Sequence, residues 1–141
     1  MKIEECINYL LTGAQHKVFQ KMKNELKEYD LTPIQYGVLK CIWQFGMTNP
    51  KEIADFHNIE NSTMSGILER MESKGLIKRE IDDNDRRYIK ITLTETSKAL
   101  EYSANKVIDH VNALALKDFT PEETETLKNM LRRIVDTKYD E

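Results

Sequence analysis

Two short blocks of this 141-residue chain carry the side chains best suited to chemistry. The first is Asp82-Asp83-Asn84-Asp85-Arg86-Arg87. Aspartate and asparagine close turns by bonding their own backbone. They therefore explain the turn but not the two arginines, since arginine is a poor turn former. A guanidinium pairs with carboxylate or phosphate through two parallel N–H bonds. Asp85 can hold one arginine in this way while the other projects. The competing possibility is a solvated turn with surface ion pairs worth about 0–1 kcal/mol each. The second block is Asn61-Ser62-Thr63, followed by Ser65 and Gly66. These are short hydrogen-bonding groups without bulk, able to approach phosphates and base edges closely. Asn-Ser-Thr can equally be a helix cap.

Other chemistries find no support. There is no glycine-rich phosphate loop, nucleophile elbow or zinc-protease motif, so the chain does not read as an enzyme. His16, His57 and His110 form no pair at metal-ligand spacing, and no metal or cofactor is expected. Each histidine reads as a surface or packing residue. Cys41 falls on an apolar stripe and reads as core. Cys6 stands beside Glu4 and Glu5, whose charge works against a thiolate, and its redox role is open. Two cysteines are too few for a disulfide scaffold and suit a reducing cytoplasm.

The chain is 40% hydrophobic and 32% charged, which suits one soluble domain with a real core. No apolar run approaches the ~20 residues of a membrane span, and the acidic N-terminus does not resemble an export signal. The net charge of −3 argues against a nucleic-acid partner, but it is unevenly spread. Residues 61–90 carry 7 basic and 6 acidic side chains, against 7 and 8 in residues 1–60 and 7 and 10 in residues 91–141. The one net-positive segment contains both blocks, and a local basic face matters more than whole-chain charge.

The elements that must position these residues follow from punctuation and period. Pro33, Pro50 and Pro121 follow Thr32, Asn49 and Thr120, so each pair marks a helix start. The residue three after each cap (Gln35, Glu52, Glu123) can complete a capping box. Ile3, Ile7, Leu10, Ala14, Val18, Met22 and Leu26 predict a long first helix. Ile34, Val38, Cys41, Ile42 and Phe45 line the second helix, which ends near Gly46, and the third is short, about 50–56. Met64, Ile67, Leu68 and Met71 predict a fourth helix at about 61–74, with Gly75 as its left-handed C-cap. On its wheel, Ser62, Gly66, Glu69 and Ser73 oppose the apolar stripe. Thr63 and Arg70 lie on one flank and Ser65 on the other. Arg70 can pair with Glu69 or Asp85, or reach a phosphate. Gly66 costs roughly 1 kcal/mol in a helix, easier to understand if something packs there. The period then changes to two, and Ile89, Ile91 and Leu93 alternate in a hairpin whose tip is the charged block. Two more helices follow, from about Thr94 and from Pro121.

The order α-α-α-α-β-β-α-α is a mainly α winged helix-turn-helix, residues 31–93. Its second helix-turn-helix element, about 61–74, is suited to the DNA major groove, and its wing, 82–87, to the minor groove. The candidate DNA contacts are Asn61, Ser62, Thr63, Ser65, Arg70, Asp85, Arg86 and Arg87. Residues 1–30 and 94–141 supply apolar helix faces that this small core cannot cover. They are expected to pair with a second copy, placing two reading helices about one DNA turn (~34 Å) apart. The alternative is a winged-helix module that binds protein and no DNA, which the net charge favours.

The segments LTPIQYGVL (31–39), KEIADFHNIENSTMSGILERMESKGLIKRE (51–80) and DDNDRRYIKITLTE (82–95) resemble the MarR (multiple antibiotic resistance regulator) family of transcription factors. The resemblance implies a homodimeric cytoplasmic regulator of pseudo-palindromic DNA, commonly a repressor and often responsive to a small molecule. It places an effector site between the dimer helices and the DNA lobe, with Phe19, Tyr36, Trp43 and Phe45 as candidates. Two positions depart from the pattern. Glu60 stands where a serine cap is common, and Gly66 where a larger, often basic, residue is. The oxidant-sensing branch has a cysteine where this chain has Asn8.

Overall fold

The computed structural model describes residues 1–140 and contains six α-helices and one β-hairpin. In chain order these are α1 (Ile7–Leu26), α2 (Pro33–Phe45), α3 (Pro50–Phe56), α4 (Asn61–Ser73), β1 (Ile77–Ile81), β2 (Ile89–Leu93), α5 (Glu95–Ala115) and α6 (Pro121–Val135). The expected winged-helix order is the one observed.

The local chemistry of the helix starts follows from the caps. Thr32 accepts the Gln35 N–H while Gln35 Oε1 accepts the Thr32 N–H, closing a reciprocal box. Thr120 and Glu123 do the same. Asn49 instead accepts two backbone N–H groups, from Lys51 and Glu52, with no return bond from the Glu52 side chain. A third reciprocal box, Thr94 with Ser97, opens α5. The first helix begins later than its apolar pattern suggests: Ile3–Glu5 form a separate 3₁₀ turn, and Cys6 is extended. Gly75, at φ +74°, ends α4. Its N–H bonds the Glu72 carbonyl and the Leu76 N–H bonds the Met71 carbonyl, a Schellman closure that glycine accommodates without strain.

The core lies where α2, α3 and α4 meet the hairpin and α5. Leu26, Val38, Leu39, Ile53, Met64, Met71, Ile77 and Ile91 are almost completely buried there. β1 and β2 pair antiparallel from Ile77 opposite Leu93 to Ile81 opposite Ile89. The Ile91 N–H also bonds the Thr48 carbonyl at 2.8 Å, which fastens the hairpin to the α2–α3 connection. The expected inward alternation of β2 holds only at its base. Ile91 is buried, but Ile89 is 49% exposed and its partner Ile81 63% exposed, because the hairpin outruns the core beneath it.

Burial also fades along the terminal helices. Leu26 at the end of α1 is buried, whereas Ile7 and Leu10 are exposed. α6 buries no residue within the protomer, although Met130, Leu131 and Ile134 line one side of it.

Candidate nucleic-acid interface

α4 is held by its apolar stripe. Met64, Ile67, Leu68 and Met71 are buried, and the opposite surface carries exposed Asn61, Ser62, Thr63, Ser65, Glu69 and Arg70. The cap position falls on Glu60, and no side chain caps the helix. Asn61, Ser62 and Thr63 therefore occupy the first helical turn without serving as its cap. Their side chains point to solvent beside backbone N–H groups that have no partner within the helix.

Arg70 forms no ion pair with Glu69 or Asp85 among the described residues. Its guanidinium lies back over Gly66, where an added Cβ would stand 3.6 Å from Nη1. That is ordinary contact distance. Gly66 is therefore not imposed by packing within the protomer.

The hairpin tip divides its labour. Asp82 accepts the Asn84 N–H at 2.8 Å, and Asp85 accepts the Arg87 N–H at 3.1 Å. Asp85 also takes Arg87 Nε and Nη2 at 3.0 and 2.8 Å, a two-pronged pair. Arg87 hydrogen bonds hold the Asp85 carboxyl below the usual carboxylate range, and that carboxylate raises the arginine in turn. The Arg87 guanidinium also sits 5.7 Å from the centre of the Tyr88 ring. Arg86 is exposed and has no hydrogen-bond or ion-pair partner among the described residues. Arg87 is thus the tethered arginine and Arg86 the projecting one.

Between α4 and the wing is an open cleft of about 340 Å³, with Met64 and Leu68 at its floor and Asn49, Lys51, Ser65 and Arg87 on its walls. It brings the start of α3, the exposed polar face of α4 and the wing to one side of the molecule.

Two contacts at the end of α4 have no signal in the sequence. Arg79 on β1 donates its backbone N–H to Glu72 Oε2 at 3.1 Å, and its Nε and Nη2 to Glu72 Oε1 at 3.2 and 2.9 Å. These bonds hold the Glu72 carboxyl below its usual range, the guanidinium contributing most. Lys74 donates to Gln35 Oε1 at 2.8 Å and to the Asp30 carbonyl. Since Gln35 is buried and closes the α2 cap, the end of α4 is tied to the start of α2.

The aromatic candidates do not all converge. Tyr36 and Trp43 pack edge-on, centroids 6.1 Å apart. The Tyr36 hydroxyl donates to Asn105 Oδ1 at 2.9 Å, and burial pushes its phenol up, helped by Asp109. Trp43 Nε1 is buried and has no acceptor among the described residues. Phe45, by contrast, is half-exposed and packs at a tilt against Phe56, centroids 5.5 Å apart, because it faces α3 rather than the α2–α5 seam. Cys41 is core as expected, and burial pushes its thiol up, with the Glu52 charge adding to this. Its Sγ is 3.4 Å from His57 Nε2, a contact between α2 and the end of α3.

The geometry is matched by comparison with known proteins. The MarR family model matches residues 31–89. The HTH-type transcriptional regulator MgrA of Staphylococcus aureus is 29% identical over 134 residues, 94% of this chain and 90% of that protein. The organic hydroperoxide resistance transcriptional regulator of Bacillus subtilis (strain 168) is 27% identical over 137 residues, 97% of this chain and 92% of that protein. The transcriptional repressor CouR, solved bound to a 23-mer DNA duplex, superposes with a TM-score of 0.84 at 26% identity, covering 94% of each chain. Residues 31–89, which hold the helix-turn-helix and most of the wing, thus match the MarR family model, and the chain as a whole is similar to bacterial transcriptional regulators.

Proposed function

We propose that this protein is a dimeric, sequence-specific DNA-binding repressor whose affinity for its operator is set by a small-molecule effector. In this proposal α4 lies in the major groove, with Asn61, Ser62, Thr63, Ser65 and Arg70 toward bases and phosphates. Arg86 enters the flanking minor groove, and Asp85 with Arg87 stiffens the wing. The observation that carries the proposal is the pairing of an uncapped, short-chain polar face on α4 with an unpartnered Arg86 at the wing tip. A protein-only module gains nothing from that combination. CouR, which shares this fold, was solved on DNA.

Residues 31–93 form the DNA-binding unit in this proposal, and residues 1–30 and 94–141 the dimerisation region. Met130, Leu131 and Ile134 on α6 and Ile7 and Leu10 on α1 are left exposed by the protomer. A groove of about 470 Å³ between α1 and α5, floored by Val18, Val111 and Leu114, can receive such a helix from a second copy. A symmetric pair lets each copy cover the other. The effector candidate is the Tyr36–Trp43 seam, where the buried Trp43 N–H lacks an acceptor that a ligand oxygen would supply. Peroxide sensing is not part of this proposal, because Asn8 stands where the resemblance places the sensing cysteine.

The test is selection of random duplexes by the purified protein, repeated across a salt series. Enrichment of a pseudo-palindrome whose binding weakens steeply with salt is expected. Failure to enrich any sequence at low salt would move the assignment to a protein-binding module.

A further inference from the structure

Glu72 and Arg79 join the last turn of the candidate recognition helix to the middle of the wing. Glu72 binds two different parts of Arg79: the backbone N–H, which locates the strand, and the guanidinium, which opposes its rotation. Arg79 lies directly opposite Ile91, the rung that is itself fastened to Thr48. Beyond that rung the hairpin has little beneath it, since Ile81, Ile89 and Tyr88 are all about half-exposed or more. The Glu72–Arg79 contact is therefore among the last holds on the wing before its free tip.

Stability alone gives this contact little reason to exist. Both side chains are partly exposed, at 40% and 30%, and surface ion pairs of this kind contribute little. Glu72 also occupies the Nε–Nη2 edge of Arg79, the fork that would otherwise pair with a phosphate. Geometry supplies a reason. With a strand rise of ~3.4 Å per residue, the turn begins roughly 10 Å past Arg79. A tilt of about 10° at that rung moves the tip by about 2 Å over the same length, enough to break an arginine's fit in a narrow groove.

We propose that Glu72 is a positioning residue for DNA binding: through Arg79 it fixes the angle between α4 and the wing, so that Arg86 meets its groove when α4 is seated. This rests on the DNA-binding function proposed above. Glu72 touches no DNA in this scheme and acts only through the wing.

The experiment is a double-mutant cycle in the full chain: parent, Glu72→Ala, Arg86→Ala and the pair, each titrated against the selected duplex. Glu72→Ala in the parent background is expected to weaken binding roughly tenfold, within the range of coupled residues. In the Arg86→Ala background the same change is expected to cost less than about twofold, because the group it positions is gone. Glu72→Gln keeps an oxygen for the Arg79 backbone N–H and is expected to fall between Glu72→Ala and the parent. Thermal midpoints confirm that every variant is folded. Equal losses in both backgrounds would show a general effect on the fold and overturn the inference alone. Unchanged or tighter binding by both Glu72 variants, as expected if a released Arg79 simply gains a phosphate, would overturn it too. If Arg86→Ala itself binds like the parent, Arg86 is not the group that Glu72 positions and the inference falls with it.

Discussion

Arg86→Ala is the perturbation that separates the two wing arginines. Arg87 is committed to Asp85 by three hydrogen bonds, whereas Arg86 has no partner among the described residues. Removing Arg86 therefore takes nothing from the folded protomer, and the thermal midpoint should stay within about 1 °C, as surface substitutions away from special features generally allow. The cost should appear on DNA. A hydrogen bond to a charged group contributes about 1.5 kcal/mol at the lower end of its range. A dimer loses two, about 3 kcal/mol in total, which is roughly a hundredfold in Kd. The salt slope should flatten by about 2 if both guanidiniums release counterions, about 0.9 each. The assay is fluorescence anisotropy on the selected duplex at several salt concentrations, with Arg87→Ala beside it. Arg87→Ala loosens the tip and is expected to weaken binding as well, but through a tether that Asp85→Asn also disrupts. Parent-like affinity and slope for Arg86→Ala, with a large loss for Arg87→Ala, would refute the division between projecting and tethered arginine.

Further outcomes are expected elsewhere. Leu131→Glu on α6 should convert the proposed dimer to a 16.5 kDa monomer in sedimentation; an unchanged dimer would remove α6 from the interface. Gly66→Ala should raise helix stability by up to ~1 kcal/mol, because the new Cβ meets Arg70 at 3.6 Å without a clash. A drop in operator affinity despite a higher thermal midpoint would place DNA backbone against Gly66, and a drop in both would contradict the clash-free contact with Arg70. Gly37→Ala should destabilise by up to about 2 kcal/mol, since its Cβ would lie 2.8 Å from His57 Cε1 and the ring must leave Cys41, an overpacking cost of about 1–3 kcal/mol that a helix-propensity gain of up to ~1 kcal/mol only partly offsets. Glu72 has a folded pKa below its unfolded value, so its contribution is present above the usual carboxylate range and is lost as pH falls through the depressed value. The thermal midpoints of Glu72→Gln and the parent should thus differ most near neutrality and converge in acid; a gap that widens in acid would contradict the pairing with Arg79.

Much of this architecture is written in short-range chemistry. The three Thr-Pro and Asn-Pro steps mark helix starts because proline's missing N–H costs nothing at a first helical position. Gly75 marks the end of α4 because only a left-handed residue closes a Schellman turn there. The tip can be read to the extent that Asp85 tethers one arginine; which one depends on backbone geometry, and that requires the fold. The Thr94–Ser97 box is hard to recognise because serine, not glutamate or glutamine, stands at its third position. Glu72–Arg79 and Lys74–Gln35 are invisible in the sequence for a different reason. Each joins residues across a turn or across the chain, and nothing local indicates that their side chains will meet. Ile89 reads as inward because period two records only alternation. It does not record where the core stops.

A dimethyl sulfate footprint of the protein on its selected duplex reports guanine N7 in the major groove and adenine N3 in the minor groove, and so tests both halves of the proposed interface at once. Two protected guanine segments are predicted, related by two-fold symmetry and centred about 10 base pairs apart, from the two α4 helices. Adenine protection is predicted to flank them and to disappear in Arg86→Ala. A single unpaired segment, or flanking protection that survives Arg86→Ala, would contradict a dimer that reads the major groove with α4 and the minor groove with its wing.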